Sequence, residues 1–167
     1  MPSFFSDESE MSIAISPFTI ELYDSAIALW QQCEGIGLSG ADSRECVRSY
    51  LERNPGISFV ATSEGIVVGT ILAGHDGRRG YIYHLAIHPD HRRKSLGRQL
   101  VDRCLAVLAD AGIQKCHLFI FNENIGGIKF WKRIGWVHRS DISVISKTIE
   151  PRNEGGTHNT RASRAGR

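Results

Sequence analysis

The chain has 167 residues, 41% hydrophobic and 23% charged, which is enough for one core and too few for two full domains. Its formal net charge is +2, and the segment from Glu150 to Arg167, with four arginines against two glutamates, carries all of it. The body is neutral in sum, which argues against a nucleic-acid partner, and no apolar run approaches the roughly 20 residues that would span a membrane.

Residues 1–11 are polar and acidic without periodicity and read as a flexible tail. Ile13 and Ile15 alternate as in a short strand, and Leu22, Ala26, Leu29 and Trp30 recur at helical spacing. After the Gly-rich GIGLSG, the run DSRECVRSYLER places Val47, Tyr50 and Leu51 on one helical face and stops at NPG. ISFVAT, IVVGTILAG and YIYHLAIH, joined by short Gly-containing turns, read as an antiparallel meander. A long helical stripe follows through Leu96, Leu100, Cys104, Leu105 and Leu108, with Gly112 as its cap. CHLFIF reads as a strand, NIGGIKFWKRIG as a shorter helix, and SDISVISKTI as a last strand. The expectation is an α/β fold: one domain over residues 12–149 with a mixed, mostly antiparallel, twisted sheet flanked by helices on both faces. Residues 150–167 lack large apolar side chains and read as a disordered basic tail.

Cys33, Cys46, Cys104 and Cys116 form no C-x-x-C pair, and no charged start followed by an apolar run marks export. A reduced, cytoplasmic protein is expected.

The stretch HPDHRRKSLGRQL leads from a strand into a helix. There, successive backbone N–H groups and the positive end of the helix dipole converge, and Arg92 can reach an anion bidentately while Gly97 permits close approach. A pyrophosphate cradle is one reading; a solvated basic helix start is the other. Neither a Walker loop nor a G-x-G-x-x-G fingerprint is present. His84, His88 and His91 would share a face on a helix, but Pro89 breaks the segment and the preceding run is a strand, so no metal is expected.

Two segments together resemble the GNAT superfamily of acyl-CoA-dependent N-acyltransferases: LAIHPDHRRKSLGRQLV and NIGGIKFWKRIGW. The family pattern R/Q-x-x-G-x-G/A falls on Arg92, Arg93, Lys94, Ser95, Leu96 and Gly97, and an Asn opening a helix that ends in Gly-aromatic falls on Asn124, Gly135 and Trp136. GHDGRRG with its following strand is similar to a branch of small bacterial acetyltransferases typified by YpeA. The resemblance implies acetyl-CoA as co-substrate and a primary amine as acceptor, the amine attacking the thioester directly in a ternary complex. It implies that backbone groups of Leu85, Ala86 and Ile87 pair with the pantetheine arm, one N–H near Ile87 holding the thioester oxygen. It assigns the pyrophosphate to amides from Arg93 to Arg98 and the Arg92 side chain, and a pantetheine contact to Asn124.

Two positions depart from the family pattern. Ser95 stands where glycine is usual, which brings a Cβ toward the phosphate. Trp131 stands where a tyrosine commonly protonates the departing thiolate, and an indole N–H is too weak an acid for that task. Tyr81, Tyr83 or water is expected to serve instead. For the base, His84 and Glu123 are the candidates, each with a plain alternative as a packed or solvated side chain; Phe119 occupies the strand position where some members carry glutamate. Cys104 and Cys116 sit in core patterns, so no acyl-enzyme is expected. The rivals are a non-catalytic acyl-CoA sensor and an adaptor acting through the arginine-rich tail. The acceptor pocket is expected around Trp30, Gly35 to Gly40 and Ser140 to Ser146, and the last strand offers an edge for a homodimer.

Overall fold

The structure is a computed structural model, and it describes residues 12–150. Apart from Glu150, both expected tails lie outside those residues. The sheet runs β1 (Ile13–Pro17), β2 (Phe59–Ser63), β3 (Ile66–His75), β4 (Gly80–Ile87) and β5 (Cys116–Leu118), in that spatial order. Neighbours from β1 to β4 are antiparallel and β5 joins β4 in parallel, so the sheet is mixed as expected.

Helices α1 (Tyr23–Gln32) and α2 (Arg44–Arg53) cover one face, and α3 (Leu96–Asp110) covers the other, beside α4 (Ile125–Arg133). Alternation along β3 feeds both layers. Val68, Ile71 and Ala73 meet Leu100, Val101 and Cys104 of α3, whereas Val67 and Leu72 meet Ala26, Leu29 and Trp30 of α1. A strand covered on both faces reads as a continuous apolar run, which is why IVVGTILAG is one. α3 holds to the sheet through Leu96, Leu100, Cys104 and Leu108, one every turn, and Gly112 follows it at φ +78°, a left-handed turn that glycine adopts without penalty.

Two expectations are corrected. The strand expected over SDISVISKTI is absent: residues 142–150 are in neither helix nor strand and stay exposed, Ile145 at 94% and Ile149 at 91%. Alternating β-branched residues favour extended chain, but a strand exists only where a neighbour accepts its ladder, and the edge expected to serve a homodimer is therefore not built. The segment CHLFIF is strand only to Leu118, because it pairs with β4 at three positions and no further. In the segment after Trp136, Arg139 chelates Asp141 through two 2.7 Å hydrogen bonds.

Candidate active site

β4 and β5 part company. They pair at Gly80–Cys116, Tyr81–His117 and Ile82–Leu118, and from Tyr83 onward β4 has no strand on that side among the described residues. A bulge sits just past the fork. Between the pairs Leu72–Tyr83 and Thr70–Ala86, β4 has one residue more than β3, and His84 takes up the excess at φ +46°. Thr70 Oγ1 donates to the His84 carbonyl (3.2 Å), and Trp30 Nε1 donates to the same hydroxyl (2.8 Å), which fixes the bulge from below. As a result Tyr83 and His84, though adjacent, both face α1 and α2: Tyr83 meets the Tyr50 ring at 6.0 Å and His84 meets the Trp30 ring at 4.7 Å.

The loop before α3 is wound so that amides gather at its end. Arg93 and Ser95 have φ of +61° and +59°, and Ser95 is the N-cap of α3 with no side-chain capping bond. Left-handed residues alternating with ordinary ones make the concave array of N–H groups that binds anions. Arg92 folds back, its Nε donating to the Ile87 carbonyl (3.0 Å), which leaves the other four guanidinium donors for a ligand. Gly97 is buried in the first turn, and a Cβ there would lie 3.3 Å from the Phe130 ring of α4.

On the opposite bank, Asn124 caps α4 by accepting from the Gly127 N–H (2.9 Å). The loop after α1 closes onto it. A Cβ on Gly35, itself at φ +81°, would fall 2.3 Å from Asn124 Nδ2, and one on Gly37 would fall 2.7 Å from the Phe121 ring. Only glycine lets these two loops touch. Between the banks runs a cleft of about 1190 Å³ floored by Leu85, Ala86 and Ile87 and walled by the α3 loop, Asn124 and Trp131. Arg92, Arg93, Arg98 and Arg133 line it against Glu34 and Glu123, and His91 Nδ1 is buried in the same wall with no partner among the described residues.

A second cleft of about 320 Å³ adjoins the first and shares Leu85, Phe121, Asn124 and Trp131 with it. Tyr83 and His84 lie in its wall. His84 Nε2 is 2.5 Å from Asp42 Oδ1, and both side chains are nearly buried. Asp42 is held in turn by a capping box, its Oδ2 accepting from the Ser39 N–H at 2.7 Å.

Residues 20–136 match the profile of the acetyltransferase (GNAT) family. The chain belongs to that family. Such a match makes it an acetyl-CoA-dependent transferase. The acetyltransferase plu1384 of Photorhabdus laumondii is 30% identical over 131 residues, covering 78% of this chain and 91% of the relative. The acetyltransferase SG1711 of Sodalis glossinidius is 27% identical over 135 residues, covering 81% and 94%. Among solved structures, the PaiA N-acetyltransferase of Thermoplasma acidophilum in complex with coenzyme A superimposes with a TM-score of 0.64 at 19% identity, covering 74% of this chain and 88% of that one. This likeness shows the fold.

In this acetyltransferase, the residues expected at the cofactor line one cleft: Leu85, Ala86, Ile87, Arg92, Arg93, Ser95, Leu96, Gly97, Arg98 and Asn124. Lys94 lies on the same loop, exposed, and is not in the wall. The catalytic candidates divide. His84, Tyr83 and Trp131 line the smaller cleft, whereas Glu123 is exposed in the larger one. Tyr81 lies in neither wall and stacks on Phe119 with ring centres 6.5 Å apart. Burial, and secondarily the neighbouring Tyr81, raises the Tyr83 phenol above its usual range. Trp131 packs edge-on against Trp136 at 4.8 Å and Phe130 at 5.2 Å. Of the segments expected to build an acceptor pocket, Gly35, Ile36 and Gly37 line the smaller cleft, and Trp30 lies buried behind His84. Cys104 and Cys116 are pushed up by burial to about 12 and about 11, which keeps both as thiols. Sequence reasoning missed Asp42; the S-x-x-D spacing from Ser39, a capping-box signature, was its one signal. Among the described residues, no group of three or more His, Cys, Asp or Glu could hold a metal ion, and no helix is long and apolar enough to cross a membrane.

Proposed function

We propose that the protein moves the acetyl group of acetyl-CoA onto a primary amine by direct attack in a ternary complex, the thioester lying where the two clefts meet. The observation that carries this reading is the open edge of β4. From Tyr83 that edge has no partner strand among the described residues, the Ile87 carbonyl alone being taken by Arg92 Nε and Cys33 Sγ, and the strand leads into a loop wound to present amides. A pantetheine arm carries amides that can pair with such an edge, and Leu85, Ala86 and Ile87 take that role. Backbone N–H groups from Arg93 to Arg98, the Arg92 guanidinium and the orphaned His91 Nδ1 suit the phosphates. The Ser95 hydroxyl, free of any capping bond, adds a donor there. Asn124 borders the arm near the thiol.

The chemistry then needs a proton taken from the ammonium and one given to sulfur. His84 is the acceptor: with Nε2–H donating to Asp42, its Nδ1 lone pair is left to receive the proton, directly or through water. The amine nitrogen bonds to the carbonyl carbon, a backbone N–H near Ile87 holds the developing oxyanion, and the carbon–sulfur bond breaks. The Tyr83 phenol, protonated at neutral pH, donates to the leaving thiolate and takes back the second proton that the nitrogen sheds as the amide forms. Glu123, exposed among arginines, is placed for the cofactor side rather than the amine. Four free cysteines suit a reduced, cytoplasmic setting.

Trp131 favours a second reading, a non-catalytic acyl-CoA sensor, because the indole cannot supply the proton that a tyrosine there supplies elsewhere in the family. Incubation with acetyl-CoA and a broad amine panel separates the two. Free thiol appearing together with an acetylated amine supports the enzyme, and tight acetyl-CoA binding without release supports the sensor.

A further inference from the structure

The smaller cleft differs from its neighbour in charge. Its wall sets the rings of Tyr83, Phe119, Phe121 and Trp131, with Leu118 and Ile120, beside the polar Glu34, His84 and Asn124. Phe119 and Phe121 are 59% and 57% exposed, so although one stacks on Tyr81 and the other lies against Gly37, more than half of each ring stands open to solvent. The volume, about 320 Å³, lies at the small end of the range for ligand pockets. Among the described residues that line it, Glu34 is the one carboxylate and none is a lysine or arginine. The nearby Asp42 carboxylate is committed to His84 and the Ser39 N–H, and Glu123 lies across in the arginine-lined cleft.

We infer that the acceptor is a small monoamine with an aromatic or other apolar body, its rings against Phe119, Tyr83 and Trp131 and its single ammonium near Glu34 and His84. The inference rests on the acetyl-transfer reading in that the same cleft must adjoin the thioester. Polyamines and aminoglycosides carry several ammonium groups, and each one taken from water needs a carboxylate in its place. One free carboxylate, beside a cleft lined by four arginines, does not meet that need. An apolar body, by contrast, gains from covering exposed aromatic surface, and rings of this kind prefer offset or edge-on partners such as these walls present.

Equilibrium binding tests this without requiring turnover. The full chain saturated with coenzyme A would be titrated with phenethylamine and with spermidine, with Trp131 followed by fluorescence in a background where Trp30 and Trp136 serve as internal references through a Trp131→Phe control. Phenethylamine is expected to bind at least about tenfold more tightly than spermidine, with little salt dependence, and Phe119→Ala is expected to weaken it severalfold to about tenfold. Phe119 is exposed, so that variant keeps its fold. Spermidine, an aminoglycoside or a short peptide binding as tightly as phenethylamine overturns the inference, as does Phe119→Ala binding unchanged. Phenethylamine bound as expected but never acetylated would sink the proposed reaction while leaving the smaller cleft as a site for an apolar monoamine.

Discussion

His84 Nε2 lies 2.5 Å from Asp42 Oδ1, which ties the bulge of β4 to the loop between α1 and α2 at the wall of the smaller cleft. Residues 42 positions apart in sequence thereby form one unit: the bulge turns the imidazole out of the strand's alternation, and the capping box sets the carboxylate that meets it. A histidine so held has a defined tautomer, which is what a proton acceptor needs.

Asp42→Asn removes that tautomer preference while keeping the shape. The expected result is a fall in kcat of at least about tenfold with the KM for acetyl-CoA unchanged, and a larger fall, about a hundredfold, for His84→Gln. Asp42→Glu should recover part of the loss. Steady-state kinetics on both substrates checks this; a KM effect with kcat intact would assign the pair to architecture alone.

Ser95 sits at φ +59° at the head of α3, a conformation that costs a side-chain-bearing residue about 1–2 kcal/mol and glycine almost nothing. Part of the gain from Ser95→Gly is offset by the wider freedom of glycine in the unfolded chain. The variant is expected to be as stable as the parent or up to about 1 kcal/mol more stable, read from the urea midpoint. If the Ser95 hydroxyl helps hold a phosphate, the same variant binds coenzyme A more weakly despite its relaxed backbone.

Gly35→Ala places a methyl group 2.3 Å from Asn124 Nδ2 on a backbone at φ +81°. The loop after α1 and the cap of α4 must then separate. Coenzyme A affinity is expected to fall at least about tenfold in isothermal titration, with a loss of about 1–3 kcal/mol in stability. Gly40→Ala, which meets nothing within 4 Å, is the control and should change neither.

Burial raises the Cys104 thiol to about 12 and the Cys116 thiol to about 11, whereas in the unfolded chain thiols ionise near 8.5. Above that pH the unfolded state binds fewer protons, so stability present at neutral pH is lost as pH rises from about 9 through about 11 and 12, with a slope of up to about 1.4 kcal/mol per pH unit for the buried Cys104 and less for the partly solvated Cys116. Urea midpoints from pH 8 to 10.5 check the sign. Cys104→Ala should flatten the slope, at a cost in packing visible at every pH.

The parts of the fold with strong periodicity were legible in the sequence: the stripe of α3 and the meander β2–β4 follow from spacing alone, and the α3 loop follows from its place between strand and helix. What escaped depended on partners. Ile142 and Val144 alternate like a strand, yet without a neighbour to complete a ladder they remain exposed at 56% and 66%. The bulge at His84 is invisible in YIYHLAI, because nothing in strict alternation announces an extra residue. Asp42 was missed because its importance lies in a contact made only when two distant loops close. That Trp131 borders both clefts depends on how α4 packs, which its spacing in NIGGIKFWKRIGW does not carry.

In the proposed reaction the acetyl group passes straight from sulfur to nitrogen. A rapid-quench single turnover, with enzyme in excess over acetyl-CoA and with phenethylamine as acceptor, would follow thiol, acetylated amine and protein mass together. Thiol and acetylamine are expected to appear with one rate constant, and the protein mass is expected to stay unchanged throughout. Thiol appearing first, with an acetyl group trapped on the protein at Cys33, the cysteine in the wall of the larger cleft, would contradict it.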